Sequence, residues 1–97
     1  MKGYELSPEA MADLQEIWIY IASDNPTAAN KLEDDIYKAC ELLAKNPRLG
    51  HKRPDLTDEP VLFWPVRGHY LVIYQRVTQL LKVARILHAG RDAREQI

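Results

Sequence analysis

The side chains able to carry out acid–base or metal chemistry are scattered along this sequence. The three histidines, His51, His69 and His88, and the one cysteine, Cys40, fall in different predicted elements. Their spacing matches no metal-ligand pattern, and the sequence contains no phosphate-binding glycine loop, serine-nucleophile motif or zinc-protease motif. We therefore expect neither a metal nor a cofactor. A single cysteine also excludes an internal disulfide.

Three carboxylates at helical spacing, Glu9, Asp13 and Glu16, are a further candidate for acid–base chemistry. They fall on the polar side of an amphipathic helix, and we interpret them as a solvated face. General acid–base catalysis needs a base and an acid that converge near a group that stabilises charge, and only cations are abundant here. The sequence therefore predicts no catalytic residue.

The charges divide at Pro47. Residues 1–46 hold four lysines and nine acids, a net charge of −5, whereas residues 47–97 hold nine basic residues and five acids, a net charge of +4. All seven arginines lie in the second part. Arginine presents a planar fork of donors that suits carboxylates and phosphates, so the pattern fits either one contact surface or a solvated basic face.

The first half of the chain predicts two helices. Ser7-Pro8 and Asn25-Pro26 each pair a capping side chain with a proline at the first helical position. The apolar spacing of three and four residues then predicts helices over 8–23 and 26–46, joined so closely that they form an antiparallel hairpin. The side chains expected to be buried are Leu14, Ile17, Trp18, Ile21, Leu32, Ile36, Ala39 and Leu43.

The second half of the chain predicts strands. After a loop over 47–60, segments rich in branched and aromatic residues cover 61–66, 70–76 and 80–87, and residues 2–6 form a weaker strand. The order βααβββ predicts an α+β fold. We expect the whole chain, residues 1–97, to form a single domain. The helix hairpin packs on one face of a mostly antiparallel sheet of three to four strands, and the other face is open.

Arg85 interrupts an apolar strand, so it must be paired, extended to the surface, or placed on the open face. Strict alternation puts Arg85 on one face with Val83 and Leu87, and His88 on the other with Ile86. The longest unbroken apolar run is six residues, too short to span a membrane, and no signal segment is recognisable. We expect a soluble cytoplasmic protein.

Five segments, in this order and spacing, carry a resemblance to a known family: LSPEA at 6–10, NPRLG at 46–50, RPDL at 53–56, YLVIY at 70–74 and VARILHAGRD at 83–92. Together they resemble the RelE/ParE superfamily of bacterial toxins from type II toxin–antitoxin modules, and within it the ParE branch. The resemblance implies the same helix hairpin on an antiparallel sheet.

The resemblance also implies a plasmid-stabilisation type of module, with a cognate ParD-like antitoxin that wraps the toxin and alone contacts operator DNA, in a heterotetramer or a larger complex. ParE-like members inhibit DNA gyrase by binding, whereas RelE-like members cleave mRNA on the ribosome with basic residues and a terminal aromatic or histidine. Residues 91–97 contain no tyrosine, phenylalanine or histidine. We therefore expect a gyrase inhibitor rather than an enzyme; the alternatives are a ribosome-dependent mRNA endoribonuclease and a small non-toxic binding module.

The residues expected to contact the antitoxin or the target lie in the basic half of the chain. They are Arg67, Arg76, Arg85, His88, Arg91 and Asp92.

Overall fold

A computed structural model describes residues 3–90 and contains six elements in the order predicted from the sequence. They are β1 (Tyr4–Leu6), α1 (Pro8–Ala22), α2 (Pro26–Lys45), β2 (Leu62–Val66), β3 (Tyr70–Val77) and β4 (Leu80–His88). The predicted α+β class, with two helices packed on a mostly antiparallel sheet, is confirmed.

Both helices begin where the capping residues predict. The Ser7 side chain accepts a hydrogen bond from the Ala10 N–H at 2.9 Å, and the Asn25 side chain accepts one from Ala28 at 3.1 Å. Each cap satisfies a backbone donor that has no partner within the helix. None of the described helices is both long enough and apolar enough to cross a membrane.

The sheet has four strands in the order β1-β4-β3-β2. β1 runs parallel to β4 and pairs with it only as far as Leu6↔Val83, while β3 is antiparallel to both β4 and β2. In the turn between β2 and β3, Arg67 and Gly68 have φ of 56° and 72°. Two successive left-handed residues give the turn the twist that antiparallel strands favour, so β2 and β3 form a tight hairpin.

A bulge interrupts the pairing of β3 with β4. Ile73 pairs with Arg85 but Tyr74 pairs with Val83, which leaves Ala84 as an extra residue. Val83 and Ile86 therefore both belong to the core beneath the helices, while Leu87 belongs to the opposite face. The expectation that Arg85 shares a face with Val83 is wrong, because strict alternation holds only for an unbroken ladder.

The main core lies between the helices and the sheet, and α2 supplies most of its helical side chains. Leu14, Leu32, Ile36, Ala39 and Leu43 are buried as predicted. Three further side chains expected there, Ile17, Trp18 and Ile21, are only half-buried. The reason is that α1 buries just Ala10 and Leu14 completely, so its other apolar residues lie at the margins of the core.

The face of the sheet away from the helices is not open. Val61, Phe63, Leu71, Ile73 and Leu87 form a second buried cluster, and Leu56 of the loop packs against it. His51 forms an isolated antiparallel bridge with Phe63, which holds the loop along the edge of β2. The expectation of an open face is wrong because a loop without periodicity still supplies an apolar cover. Trp64 points the other way and packs beside the helix-side core.

Candidate binding site

The Arg85 side chain lies at the outer edge of β4, where it is paired with a carboxylate of α1. Arg85 Nε donates to Asp13 Oδ2 at 2.7 Å, and Arg85 Nη2 donates to Asp13 Oδ1 at 2.9 Å. The Ile86 N–H also donates to Asp13 Oδ2, at 3.1 Å. Because β1 ends its pairing at Val83, Asp13 takes the place of a strand partner at this edge.

This arrangement changes the interpretation of both residues. The Asp13 side chain is only 12% exposed and the Arg85 side chain 27%, so Asp13 does not belong to a solvated polar face as expected. The hydrogen bond to Asp13 raises the pKa of Arg85, and this effect is larger than the opposing effect of burial, which lowers the pKa. The structure therefore gives Arg85 a structural role at the junction of α1 and β4, and leaves only part of its guanidinium for a partner.

Arg67 and Arg76 lie at opposite ends of β3. Arg67, in the turn before β3, forms an exposed ion pair with Asp35 of α2. Arg76, near the end of β3, donates from Nε to the backbone oxygen of Thr78 at 3.1 Å. Arg67, Arg76 and Arg85, all expected to contact the antitoxin or the target, thus lie at three separate places on the sheet and its turns.

Arg76 shares its surroundings with a second arginine, Arg48, in the loop after α2. Together they line a cleft of about 480 Å³, which we call the Arg48–Arg76 cleft, formed by Pro47, Arg48, Pro60, Leu62, Gln75 and Arg76. A second cleft adjoins it and is lined by both arginines with Asn46, Pro47 and Leu49. Arg48 was not among the residues expected to contact a partner, although its position directly after Pro47, just beyond the end of α2, is a sequence signal that could have identified it.

The histidines do not converge on one point. The His51 ring stacks near Trp64 with 6.5 Å between ring centroids, and the His88 ring meets Tyr70 edge-on at 5.4 Å. His69 lies opposite Ala89, one position along from the Tyr70↔His88 pair. His69 itself belongs to the turn between β2 and β3, and only its backbone oxygen is engaged there, accepting from the Ala89 N–H at 2.8 Å.

His88 contributes an unsatisfied polar atom beside a shallow groove. Its Nδ1 is buried and has no hydrogen-bond partner among the residues that the structure describes. Close to it, a groove of about 270 Å³ runs between α1 and the end of β4 and is lined by Asp13, Glu16, Ile17, Tyr20, Tyr70, Ile86 and Leu87. The other two predicted contact residues, Arg91 and Asp92, lie outside the described residues.

The fold, the marginal burial of α1 and the arginine-bearing cleft suit a protein that is recognised by other proteins. A family model described as "ParE toxin of type II toxin-antitoxin system, parDE" matches residues 4–93. The chain belongs to this toxin family. The resemblance to the RelE/ParE superfamily drawn from the sequence is confirmed.

Relatives and solved structures agree with this membership. "Toxin ParE1" of Caulobacter vibrioides is 30% identical over 100 aligned residues, which cover 100% of this chain and 99% of the relative. "Toxin RelE3" of the same bacterium is 29% identical over 89 residues, covering 92% and 96%. The structure titled "Chromosomal ParDE TA system from P. aeruginosa" is similar with a TM-score of 0.71, at 22% identity over 88% of this chain and 92% of the other. At that identity the structural match establishes the fold of this ParE-family toxin.

Proposed function

We propose that this ParE-family toxin inhibits DNA gyrase by binding it, and that a ParD-like antitoxin neutralises the toxin. The observation that carries the proposal is the match of the ParE family model over nearly the whole chain. The 30% identity to Toxin ParE1 over the full length supports it. Contact with DNA would then be made through the antitoxin.

The arrangement of titratable groups supports binding rather than catalysis. General acid–base catalysis needs two groups within hydrogen-bond reach of one substrate. Within residues 3–90, His51 and His88 contact different aromatic rings, and the Asp13 carboxylate is engaged by Arg85 and a backbone N–H. A partner-binding toxin needs no such convergence, because its contacts are spread over a broad surface.

The surface of α1 supports the need for a protein partner. Met11, Ile19 and Tyr20 are 61%, 55% and 67% exposed. They are exposed because the apolar residues of α1 extend around most of the helix, beyond the side that packs on the sheet. An antitoxin that covers α1 would shield it from water.

An mRNA endoribonuclease of the RelE type is the second candidate. The 29% identity to Toxin RelE3 favours it almost as strongly as the relative named ParE1 favours the first. Two sequence features weigh against it: residues 91–97 lack an aromatic or histidine, and only Lys52 and Lys82 represent lysine in the second half.

The test is to induce the toxin alone in a bacterium while plasmid supercoiling and protein synthesis are followed in parallel. We expect plasmid supercoiling to fall and DNA breaks to appear before translation falls. Purified toxin should likewise inhibit DNA supercoiling by purified gyrase. The variants His51→Ala, His69→Ala and His88→Ala should keep most of the toxicity, because loss of a general base typically lowers a rate by about 10²- to 10⁴-fold whereas loss of one interface contact does not. Cleavage of mRNA on purified ribosomes, abolished by one histidine change, would establish the second candidate.

A further inference from the structure

We propose that the Arg48–Arg76 cleft binds an extended, acidic segment of the antitoxin, which adds as a short strand to the uncovered edge of β3. The inference rests on the proposed function because it takes the antitoxin as the partner. Three independent features of the cleft carry it: two arginines that have no carboxylate partner among residues 3–90, an unpaired strand edge at Arg76, and an apolar lining.

The charges of the cleft are unbalanced. Among the described arginines, Arg53, Arg67 and Arg85 form ion pairs with Asp55, Asp35 and Asp13. Arg48 and Arg76 form none within that part of the chain, and both are exposed. The positive charges of Arg53, Arg67 and Arg85 are balanced by their carboxylate partners. Arg48 and Arg76 therefore give the cleft an excess of positive charge. Carboxylates of a bound segment would complement it.

The edge of β3 is uncovered at this place. β2 begins its pairing at Leu62↔Tyr74, whereas β3 continues to Val77. Residues 75–77 therefore pair with β4 on one side and extend past the start of β2 on the other. The Leu81 N–H donates to Gly3 on the far side of β4, so Arg76, which lies opposite Leu81, directs its own N–H and C=O away from β4, to the side that β2 leaves unpaired. Extended peptides bind such strand edges through backbone hydrogen bonds.

The apolar part of the cleft favours a peptide over a nucleic acid. Pro47, Pro60 and Leu62 line it, and Leu49 and Val77 at its margins are 40% and 36% exposed. A bound strand directs alternate side chains to opposite sides, so it could place acidic side chains on the arginines and apolar ones on this lining. Binding of a nucleic acid backbone depends on many phosphate contacts, and two arginines provide few.

The wall of the cleft is held in place before any partner binds. The Tyr74 hydroxyl donates to the Pro47 backbone oxygen at 2.9 Å and accepts from the Gly50 N–H at 2.8 Å. These bonds fasten the loop that carries Arg48 to the strand that carries Arg76. A preformed site loses less conformational freedom on binding, which favours affinity.

The experiment measures binding of two probes to the full-length toxin: the full-length protein encoded by the reading frame next to this gene, and a single-stranded DNA. The test variant is Arg48→Glu/Arg76→Glu, whose side chains are exposed, so its melting temperature should equal that of the wild type. Arg53→Glu is the matched control, because Arg53 lies in the same loop but is paired with Asp55.

We expect the double variant to bind the neighbouring-frame protein at least about tenfold more weakly at about 50 mM salt, with a much smaller deficit at about 500 mM, because salt screens exposed charges. The affinity of Arg53→Glu for the neighbouring-frame protein should stay within about twofold of the wild-type affinity, because Arg53 lies outside the cleft. The backbone amide of Arg76 should exchange hydrogen more slowly in the complex, since its N–H faces the unpaired edge and an added strand would protect it.

Each other outcome is decisive. Unchanged affinity of the double variant, with tight binding and neutralisation by the wild type, overturns the assignment of the cleft and leaves the proposed function intact. If the double variant loses only its binding of DNA and keeps its binding of the neighbouring-frame protein, the cleft is a nucleic-acid site, and the proposal that it binds a peptide segment is wrong. If the neighbouring-frame protein neither binds nor neutralises the wild-type toxin, the antitoxin part of the proposed function fails, and the inference fails with it.

Discussion

Asp13 illustrates how much one side chain decides in a small fold. It receives three hydrogen bonds, two from the Arg85 guanidinium and one from the Ile86 N–H, and so connects α1 to the free edge of β4. Glu16, one turn later on α1, is exposed. The two carboxylates look alike in the sequence, and only their surroundings separate a structural residue from a solvated one.

We expect Asp13→Ala to lower the free energy of unfolding by about 2–4 kcal/mol, because the variant leaves a partly buried guanidinium and a backbone donor without their acceptor. Urea denaturation followed by circular dichroism measures the loss. Glu16→Ala, on the same helix, is the control and should change stability little. Equal effects of the two substitutions would show that Asp13 does not tie α1 to the sheet.

Cys40 is a buried thiol in α2 with no exposed surface. Burial, with a smaller effect of Glu41, raises the pKa of Cys40 from 9.0 to about 12. The native thiol therefore keeps its proton at a pH where the unfolded thiol has lost it. The side chain should be inert toward thiol reagents until the protein unfolds.

This difference predicts a pH dependence of stability. Above about pH 9 the unfolded state binds fewer protons than the native state, so the free energy of unfolding falls as pH rises, by at most about 1.4 kcal/mol per pH unit for this group. Urea denaturation of the wild type and Cys40→Ala at about pH 8 and pH 10.5 measures it. The wild type should lose more stability over this interval than the variant. Parallel losses would mean that the thiol ionises normally in the folded protein.

At the scale of elements, the loop between α2 and β2 is an ordered part of the fold. Tyr74, fully buried in β3, bonds both Pro47 and Gly50 through its hydroxyl. A Cβ atom at Gly50 would lie 2.4 Å from that hydroxyl oxygen, so only glycine lets the loop approach so closely. Further along, Leu56 packs on the second core. The loop therefore holds one wall of the Arg48–Arg76 cleft and covers a face of the sheet.

We expect Tyr74→Phe to lower the free energy of unfolding by about 1–3 kcal/mol, because the Gly50 N–H and the Pro47 oxygen lose a buried partner. The exchange of the Gly50 amide should also become faster, which hydrogen exchange measured by NMR can follow. Tyr70→Phe, which removes a hydroxyl from a half-buried tyrosine at the other end of β3, is the control. A Gly50 amide that exchanges equally fast in all three proteins would contradict an anchoring role.

For the molecule as a whole, the sheet is shared by two hydrophobic cores. α2 and α1 cover one face, and the loop with its apolar residues covers part of the other. Two ion pairs, Asp13–Arg85 and Asp35–Arg67, join acids of the helices to arginines of the sheet. Part of the charge that divides the two halves of the sequence is therefore paired inside the molecule, whereas Arg48 and Arg76 form no ion pair within residues 3–90.

Because the sheet belongs to both cores, a cavity in either should destabilise the whole domain. We expect Ile36→Ala beneath the helices and Phe63→Ala on the opposite face each to lower stability by about 2–5 kcal/mol. Both variants should still unfold in one transition, with fluorescence and circular dichroism coinciding. Val77→Ala, at a partly exposed position, is the control. A loss below about 1 kcal/mol for Phe63→Ala would mean that the second cluster does not act as a core.

The sequence by itself determined the features that depend on local interactions. The caps at Ser7 and Asn25, the prolines after them and the branched residues after Pro60 predicted both helices and the three later strands in their order, because helix capping and hairpin turns involve residues only a few positions apart. The family followed from the order of its motifs.

The tertiary structure alone decided what depends on distant contacts. Asp13 and Arg85 are 72 residues apart, so no local pattern could pair them. The bulge at Ala84 reverses the alternation that the sequence predicts, and Leu56 closes a face that periodicity left open. Only the structure separates Arg48 and Arg76, which form no ion pair within residues 3–90, from the paired arginines, because pairing over such distances is set by how the layers pack rather than by spacing along the chain.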